Sequence, residues 1–248
     1  MTRLDGRRAD EMRPIRFVRG FTKYAEGSVL SEFGNTRVLC NASVQDRVPA
    51  WSREQRPGEG WITAEYAMLP RATGDRSNRE RDGKVSGRTQ EIQRLIGRSL
   101  RMAVDLAELG ERTITLDCDV LQADGGTRTA AITGAWIALH DALEWMVGQR
   151  MLKSMPRIEP IAAVSVGMFR GDPVLDLCYL EDREAGVDGT VVMTGSGDLI
   201  ELGFTAEGRP LALHEMQTLL DLAHGGLRSL WQLQREALRH PVATGTMP

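Results

Sequence analysis

Cysteine, histidine and aromatic residues are scarce in this 248-residue chain, and none of the common single-motif signatures of catalysis is present. The three cysteines, Cys40, Cys118 and Cys178, stand far apart in alternating apolar stretches, with no C-x-x-C spacing. That excludes a disulfide framework and argues against a zinc site; it predicts buried strand thiols in a reducing compartment. The four histidines (His140, His214, His224 and His240) lie in or beside predicted helices, which lends little to a histidine-based nucleophile mechanism. There is no G-x-S-x-G elbow, no G-x-x-x-x-G-K-[ST] loop, no G-x-G-x-x-G opening a helix and no H-E-x-x-H. The apolar run Ala130–Leu139 is broken by Thr133 and Gly134 and is too short to span a bilayer. The first twenty residues carry six arginines and no apolar core, unlike a secretory signal peptide. These features predict a cytoplasmic protein with no membrane partner.

What is present is ordinary in amount and uneven in placement. Hydrophobic residues make up 42% and charged residues 26%, as in soluble globular proteins. The formal net charge is only −3, yet residues 1–23 hold seven basic and three acidic side chains, and residues 71–101 hold nine and four. Residues 172–221 reverse the balance, with two basic and eleven acidic. Eight of the nine basic residues in 71–101 are arginine, whose rigid fork matches phosphate oxygens better than lysine does. The same charges would also serve as solvated faces of helices and hairpins.

Periodicity predicts a hairpin over 28–45 turning at Gly34-Asn35, a loop over 47–60, a strand from Trp61 to Leu69 and a long exposed loop over 71–86. It continues with a helix over 89–109, a strand over 114–121 and a helix over 129–147. Hairpins follow over 161–180 and 187–205, then a helix over 213–239 that Gly225-Gly226 would kink. Hairpins backed by helices point to an α+β fold rather than a doubly wound parallel sheet. With no clear linker, residues 1–240 read as one compact unit and 241–248 as a frayed tail.

Three local pieces could carry chemistry. Asp124-Gly125-Gly126-Thr127-Arg128-Thr129 joins a predicted strand to a predicted helix. Its glycines would let an anion approach backbone N–H groups at the helix start, beside a hydroxyl and a guanidinium; a plain capped turn would use the same residues. Ser86-Gly87-Arg88-Thr89 begins the other helix and offers a second arginine. Glu181-Asp182, with Asp188 six residues on, supplies carboxylates for Mg²⁺ or for acid–base work, or else a solvated acidic turn.

The chain resembles, over nearly its whole length, the ribonuclease PH family of phosphate-dependent 3′-exoribonucleases, and ordered blocks carry the resemblance. They are Asp5-Gly6-Arg7, Glu26-Gly27-Ser28-Val29-Leu30, Gly34-Asn35-Thr36, Cys40-Asn41-Ala42-Ser43-Val44 and Gly60-Trp61-Ile62-Thr63-Ala64-Glu65-Tyr66. Further blocks are Met68-Leu69-Pro70-Arg71-Ala72-Thr73, Ser86-Gly87-Arg88-Thr89 through Arg98, and Gln122 through Ala130. The resemblance implies a fold of the ribosomal protein S5 domain 2-like type, with two related βαβα-type halves, assembled as a homo-hexameric ring, a trimer of dimers. It implies trimming of the 3′ ends of tRNA precursors with release of nucleoside 5′-diphosphates, inorganic phosphate being the co-substrate. By position, Arg88, Gly126, Thr127 and Arg128 would bind phosphate. Asp182 and Asp188 would be the catalytic or Mg²⁺-associated carboxylates, and Arg71, Arg76 and Arg79 would contact RNA.

The chain departs from the family pattern near the acidic site. Gly189-Thr190 replaces the usual Met-Asn, Leu202-Gly203-Phe204 replaces Val-Gln-Gly, and Arg183 and Glu184 stand where small residues are usual. A catalytically silent RNA-binding ring subunit is the alternative these departures leave open, and a hydrolytic nuclease releasing monophosphates is another.

Overall fold

The computed structural model describes residues 3–80 and 85–239, so the tail at 241–248 and His240 lie outside the described residues. The N-terminal half begins with β1 (Ile15–Arg19), β2 (Gly27–Phe33), β3 (Thr36–Gln45) and α1 (Ala50–Gln55). It continues through β4 (Trp61–Met68), α2 (Gly87–Arg101), α3 (Leu106–Leu109), β5 (Thr113–Gln122) and α4 (Thr127–Gly148). The second half contains β6 (Ile161–Phe169), β7 (Asp172–Leu175), α5 (Tyr179–Glu184), β8 (Val187–Thr194), β9 (Leu199–Ala206) and α6 (Leu213–Leu238).

Five strands pair in the order β1-β2-β3-β5-β4, all antiparallel except β4 with β5. Four antiparallel strands form the second sheet, in the order β7-β6-β8-β9. This is the α+β arrangement the sequence pattern implied. The β2–β3 hairpin closes on two residues, with Gly34 at φ +56 in the first loop position, where a tight hairpin turn favours glycine. In β3 and β5 alternate residues are buried (Val38, Cys40 and Ala42; Ile114, Leu116, Cys118 and Val120), as expected for strands covered on one face. Cys40 and Cys118 pair across these strands, and all three thiols are free and buried.

Helix α4 sits between the sheets, packed on β2 and β3 at one side and β6 at the other. Its sequence explains this, because from Thr129 to Leu139 no residue is charged and all of them are buried. A helix apolar on every side needs cover on every side. The approach is close: a Cβ on Gly27 of β2 would lie 1.9 Å from the Ala138 carbonyl oxygen. Gly27→Ala must therefore push α4 off the sheet, a distortion of the kind that costs about 1–3 kcal/mol. A lower Tm for this variant is expected, and an unchanged Tm would show that β2 can retreat.

Four elements differ from the sequence expectation, each for a tertiary reason. The helix expected over 89–109 stops at Arg101 because the backbone of Ala103 and Val104 is engaged elsewhere. Val104 forms a β-bridge with Ile158, and Ala103 accepts a hydrogen bond from the Glu159 N–H. Asp105 then caps α3 through the Ala107 N–H. The loop expected over 47–60 contains α1, whose Trp51 packs edge-on against Trp61 at 4.8 Å. The hairpin expected over 161–180 ends at Leu175, where buried Asp176 turns the chain at φ +52, and α5 follows. No kink is needed at Gly225-Gly226: α6 runs unbroken, and Gly226 lets it close on Leu175, 2.9 Å from where a Cβ would stand. Strand β1 had no clear sequence signal, since its burial does not alternate.

Candidate active site

The strand β5 delivers the chain to Gly125 and Gly126, both at positive φ (+78 and +66), and Gly126 begins α4. Gly125 is compelled by crowding as well. A Cβ there would meet the Leu177 carbonyl oxygen at 2.6 Å and the Tyr179 nitrogen at 2.8 Å, because the segment entering α5 crosses directly over it. That crossing brings the first turns of α4 and α5 together. Among the described residues the N–H groups of Thr127 and Arg128 have no backbone acceptor, as the geometry of a helix start requires.

Around this helix start lies a cleft of about 620 Å³ whose lining is drawn from both halves of the chain. It collects Arg88, Gly125, Gly126, Thr127 and Arg128 from the N-terminal half, and Ser165, Asp182, Asp188 and Thr190 from the second. All the residues singled out for phosphate binding and both singled-out aspartates therefore share one cavity. Arg71, Arg76 and Arg79 do not line it. They are exposed on the loop after β4, whose Thr73, Gly74 and Asp75 do form part of the wall.

Tyr66 adds a detail the sequence did not signal. Its buried hydroxyl donates to Thr127 Oγ1 at 2.8 Å. Burial pushes the Tyr66 phenol up, so it stays protonated and remains the donor. Thr127 Oγ1 therefore accepts from Tyr66 and keeps its own hydroxyl proton to donate elsewhere. The two carboxylates are displaced upward as well. Burial raises Asp182, with Asp188 adding repulsion and Arg88 and Arg128 opposing; burial also raises Asp188, against the pull of Arg128 and Arg88. Among the described residues the Asp182 carboxylate has no hydrogen-bond partner and the Asp188 carboxylate bonds only its own backbone N–H, and both line the cleft.

Glu181 does not join them. It is fully buried, held by Arg3 Nε at 2.8 Å and Arg7 Nη2 at 3.4 Å, and accepts the Cys178 N–H at 3.1 Å. Beside it, Asp176 accepts Arg13 Nε at 2.9 Å, Nη2 at 2.6 Å and the Arg13 N–H at 2.8 Å. Arg13 also donates to the carbonyl oxygens of Asp124 and Gly125. This network ties the N-terminal segment to the glycine loop and to the root of α5. Its only sequence signal was the density of arginine in the first twenty residues.

The two aspartates suit Mg²⁺, which takes one or two protein carboxylates and fills its remaining positions with water and substrate phosphate oxygens. His140, Asp141 and Glu144 also cluster, but Arg19 already bonds both acids there, so a cation has no vacant place. Among the described residues no helix is long and apolar enough to cross a membrane.

Two arginines and a glycine-lined helix start facing two carboxylates across one cleft is the arrangement that phosphoryl or nucleotidyl transfer calls for. The comparisons make this specific: the chain belongs to the 3′ exoribonuclease family, whose domain 1 matches residues 11–143 and whose domain 2 matches residues 159–226. It is 56% identical over 233 residues to ribonuclease PH of Methylocella silvestris, covering 94% of this chain and 98% of that protein. Two solved structures share the fold at low identity. Rice Rrp46 has TM-score 0.78 at 18% identity, over 96% of this chain and 100% of its own. A chain of the Archaeoglobus fulgidus exosome, solved with RNA bound to its active site, has TM-score 0.80 at 21% identity, over 93% of this chain and 91% of its own.

Proposed function

We propose that this chain is a phosphate-dependent 3′-to-5′ exoribonuclease that trims tRNA precursors, working in the cytoplasm as a homo-hexameric ring. The observation that carries it is the single cleft joining Arg88, Arg128 and the α4 helix start to Asp182 and Asp188. The 56% identity to a ribonuclease PH over nearly the whole chain supports it. So does the RNA held in the active site of a structural neighbour.

The chemistry is an anion attacking an anion. An oxygen of inorganic phosphate attacks the phosphorus of the last phosphodiester, the bond to the penultimate 3′-oxygen breaks, and a nucleoside 5′-diphosphate leaves. Arg88, Arg128 and the N–H groups at the α4 start offset the attacker's charge and aim it. Thr127 donates its hydroxyl to the same oxyanion. Asp182 and Asp188 would hold Mg²⁺, which would supply charge to the departing 3′-oxygen. With a raised affinity for protons, either aspartate could also hand a proton to that oxygen. Arg71, Arg76 and Arg79 attract the RNA backbone to the mouth of the cleft. The two family domains act as one catalytic unit, because neither lines the cleft alone.

Incubating single-stranded RNA with and without phosphate tests this. Release of nucleoside diphosphates only with phosphate supports it; monophosphates released without phosphate would mean a hydrolytic nuclease, and no release a silent ring subunit. Light scattering should give six times the 27.4 kDa chain mass. Arg88→Ala and Arg128→Ala are each expected to raise the KM for phosphate roughly ten- to hundred-fold, the range for losing a hydrogen bond to a charged group, with the fold intact. An unchanged KM would remove these side chains from the phosphate site.

A further inference from the structure

Resting on the exonuclease activity proposed above, one feature of the cleft is unexplained by phosphate chemistry. Tyr179 is the one aromatic ring in its lining, and the ring is half exposed, at 53%. It stands at the start of α5, three residues before Asp182, so the two side chains share a face of the helix one turn apart. Its backbone is fixed against the glycine loop: the Tyr179 N–H donates to Asp124 Oδ1 at 3.4 Å, directly above Gly125. One turn on, the Arg183 guanidinium lies 6.0 Å from the ring centroid. Arg183 is exposed and makes no ion pair or hydrogen bond among the described residues, its acidic neighbour Glu184 being paired with Arg170.

We infer that Tyr179 and Arg183 form a nucleotide clamp for the RNA 3′ end, in which the base of the terminal nucleotide stacks on the Tyr179 ring and Arg183 holds the phosphodiester next to it. The argument is one of fit. The terminal nucleotide must place its phosphorus between the α4 helix start and the aspartates, and the Tyr179 ring lines the same cleft with solvent access. An exposed aromatic beside a guanidinium with no acidic partner is the combination that binds single strands without reading sequence, since every base has a π-face. A trimming enzyme that passes through different 3′ sequences needs that tolerance.

The test uses the full-length protein without phosphate and a single-stranded RNA ending in 2-aminopurine, whose fluorescence falls on stacking. The wild type and Tyr179→Phe should quench the probe, whereas Tyr179→Leu should leave it bright. In turnover, Tyr179→Leu should raise the KM for RNA about ten-fold and leave the KM for phosphate unchanged. Arg183→Ser should keep the quenching, weaken RNA binding and flatten its salt dependence by about one phosphate contact. Equal quenching by Tyr179→Leu, or loss of quenching in Tyr179→Phe, would overturn the clamp. So would an unaltered salt slope in Arg183→Ser. Thermal melts of each variant show that the protein assayed is folded. Failure here is separable from failure of the proposed activity: Tyr179-dependent quenching without diphosphate release sinks only the activity, and diphosphate release with Tyr179-independent quenching sinks only the clamp.

Discussion

Asp188→Asn is expected to lower turnover by roughly a thousand-fold while RNA and phosphate still bind, the scale of losing a positioned acid–base or metal-binding group. Asparagine keeps the size and the hydrogen-bonding capacity of the side chain but can neither take up a proton nor offer a full charge to Mg²⁺. The same variant should be more stable than the wild type. Burial raises the Asp188 carboxyl above its ordinary value, so the folded state holds its proton more tightly than the unfolded state does. Stability from that group is present at acid pH and is lost as pH rises through the raised value. Measured without divalent ions, the variant should therefore melt above the wild type near pH 8, and the gap should close as pH falls toward 4. Stability held in abeyance at a reacting group is the usual trade between activity and fold. A variant that melts lower at pH 8, or one that retains turnover, would assign Asp188 a structural role.

A second large effect is expected far from any substrate. Asp176 is wholly buried and is the counter-ion of Arg13 and, at 3.4 Å, of Arg7; Arg13 in turn holds the carbonyl oxygens of Asp124 and Gly125. Asp176→Ala leaves the Arg13 guanidinium buried and unpaired, a loss on the order of 3–5 kcal/mol. For a chain of this size that lowers Tm by on the order of 10 °C. The glycine loop loses its brace at the same time, so the KM for phosphate should rise even in the fraction that remains folded. Replacing the Arg13–Asp176 pair, as Arg13→Met with Asp176→Leu, should recover part of the Tm, Arg7 keeping Glu181 and Asp5 as partners, without recovering the KM. Full recovery of both would show that the loop needs no brace.

Most of the fold was legible because its signals are local. The Gly34-Asn35 turn, the alternation in β3 and β5 and the periodicity of α2 each depend on residues close in sequence. The breaks were not legible, because distant backbone causes them: α2 ends where Val104 turns to meet Ile158, and β7 ends where Asp176 turns to meet Arg13. The site divides in the same way. Arg88, Gly126, Thr127 and Arg128 sit in short motifs at helix starts, so they could be singled out from the sequence, and the fold brings them into one cleft. Tyr66 and Tyr179 do not, since nothing in either stretch says that one ring is buried under Thr127 and the other stands open to the cleft. Glu181 looked like a partner for Asp182, and only the fold shows it turned inward to Arg3.

The helix threaded between the two sheets bears on how this sequence can change over generations. Because α4 presents one flank to β2 and β3 and the other to β6, a chimera spliced near residue 150 from two divergent relatives would set one parent's helix against the other's sheet. Such hybrids should survive only when the flank of α4 that meets β6 is inherited together with β6. The halves are thereby bound to evolve in step, despite matching two separate family profiles.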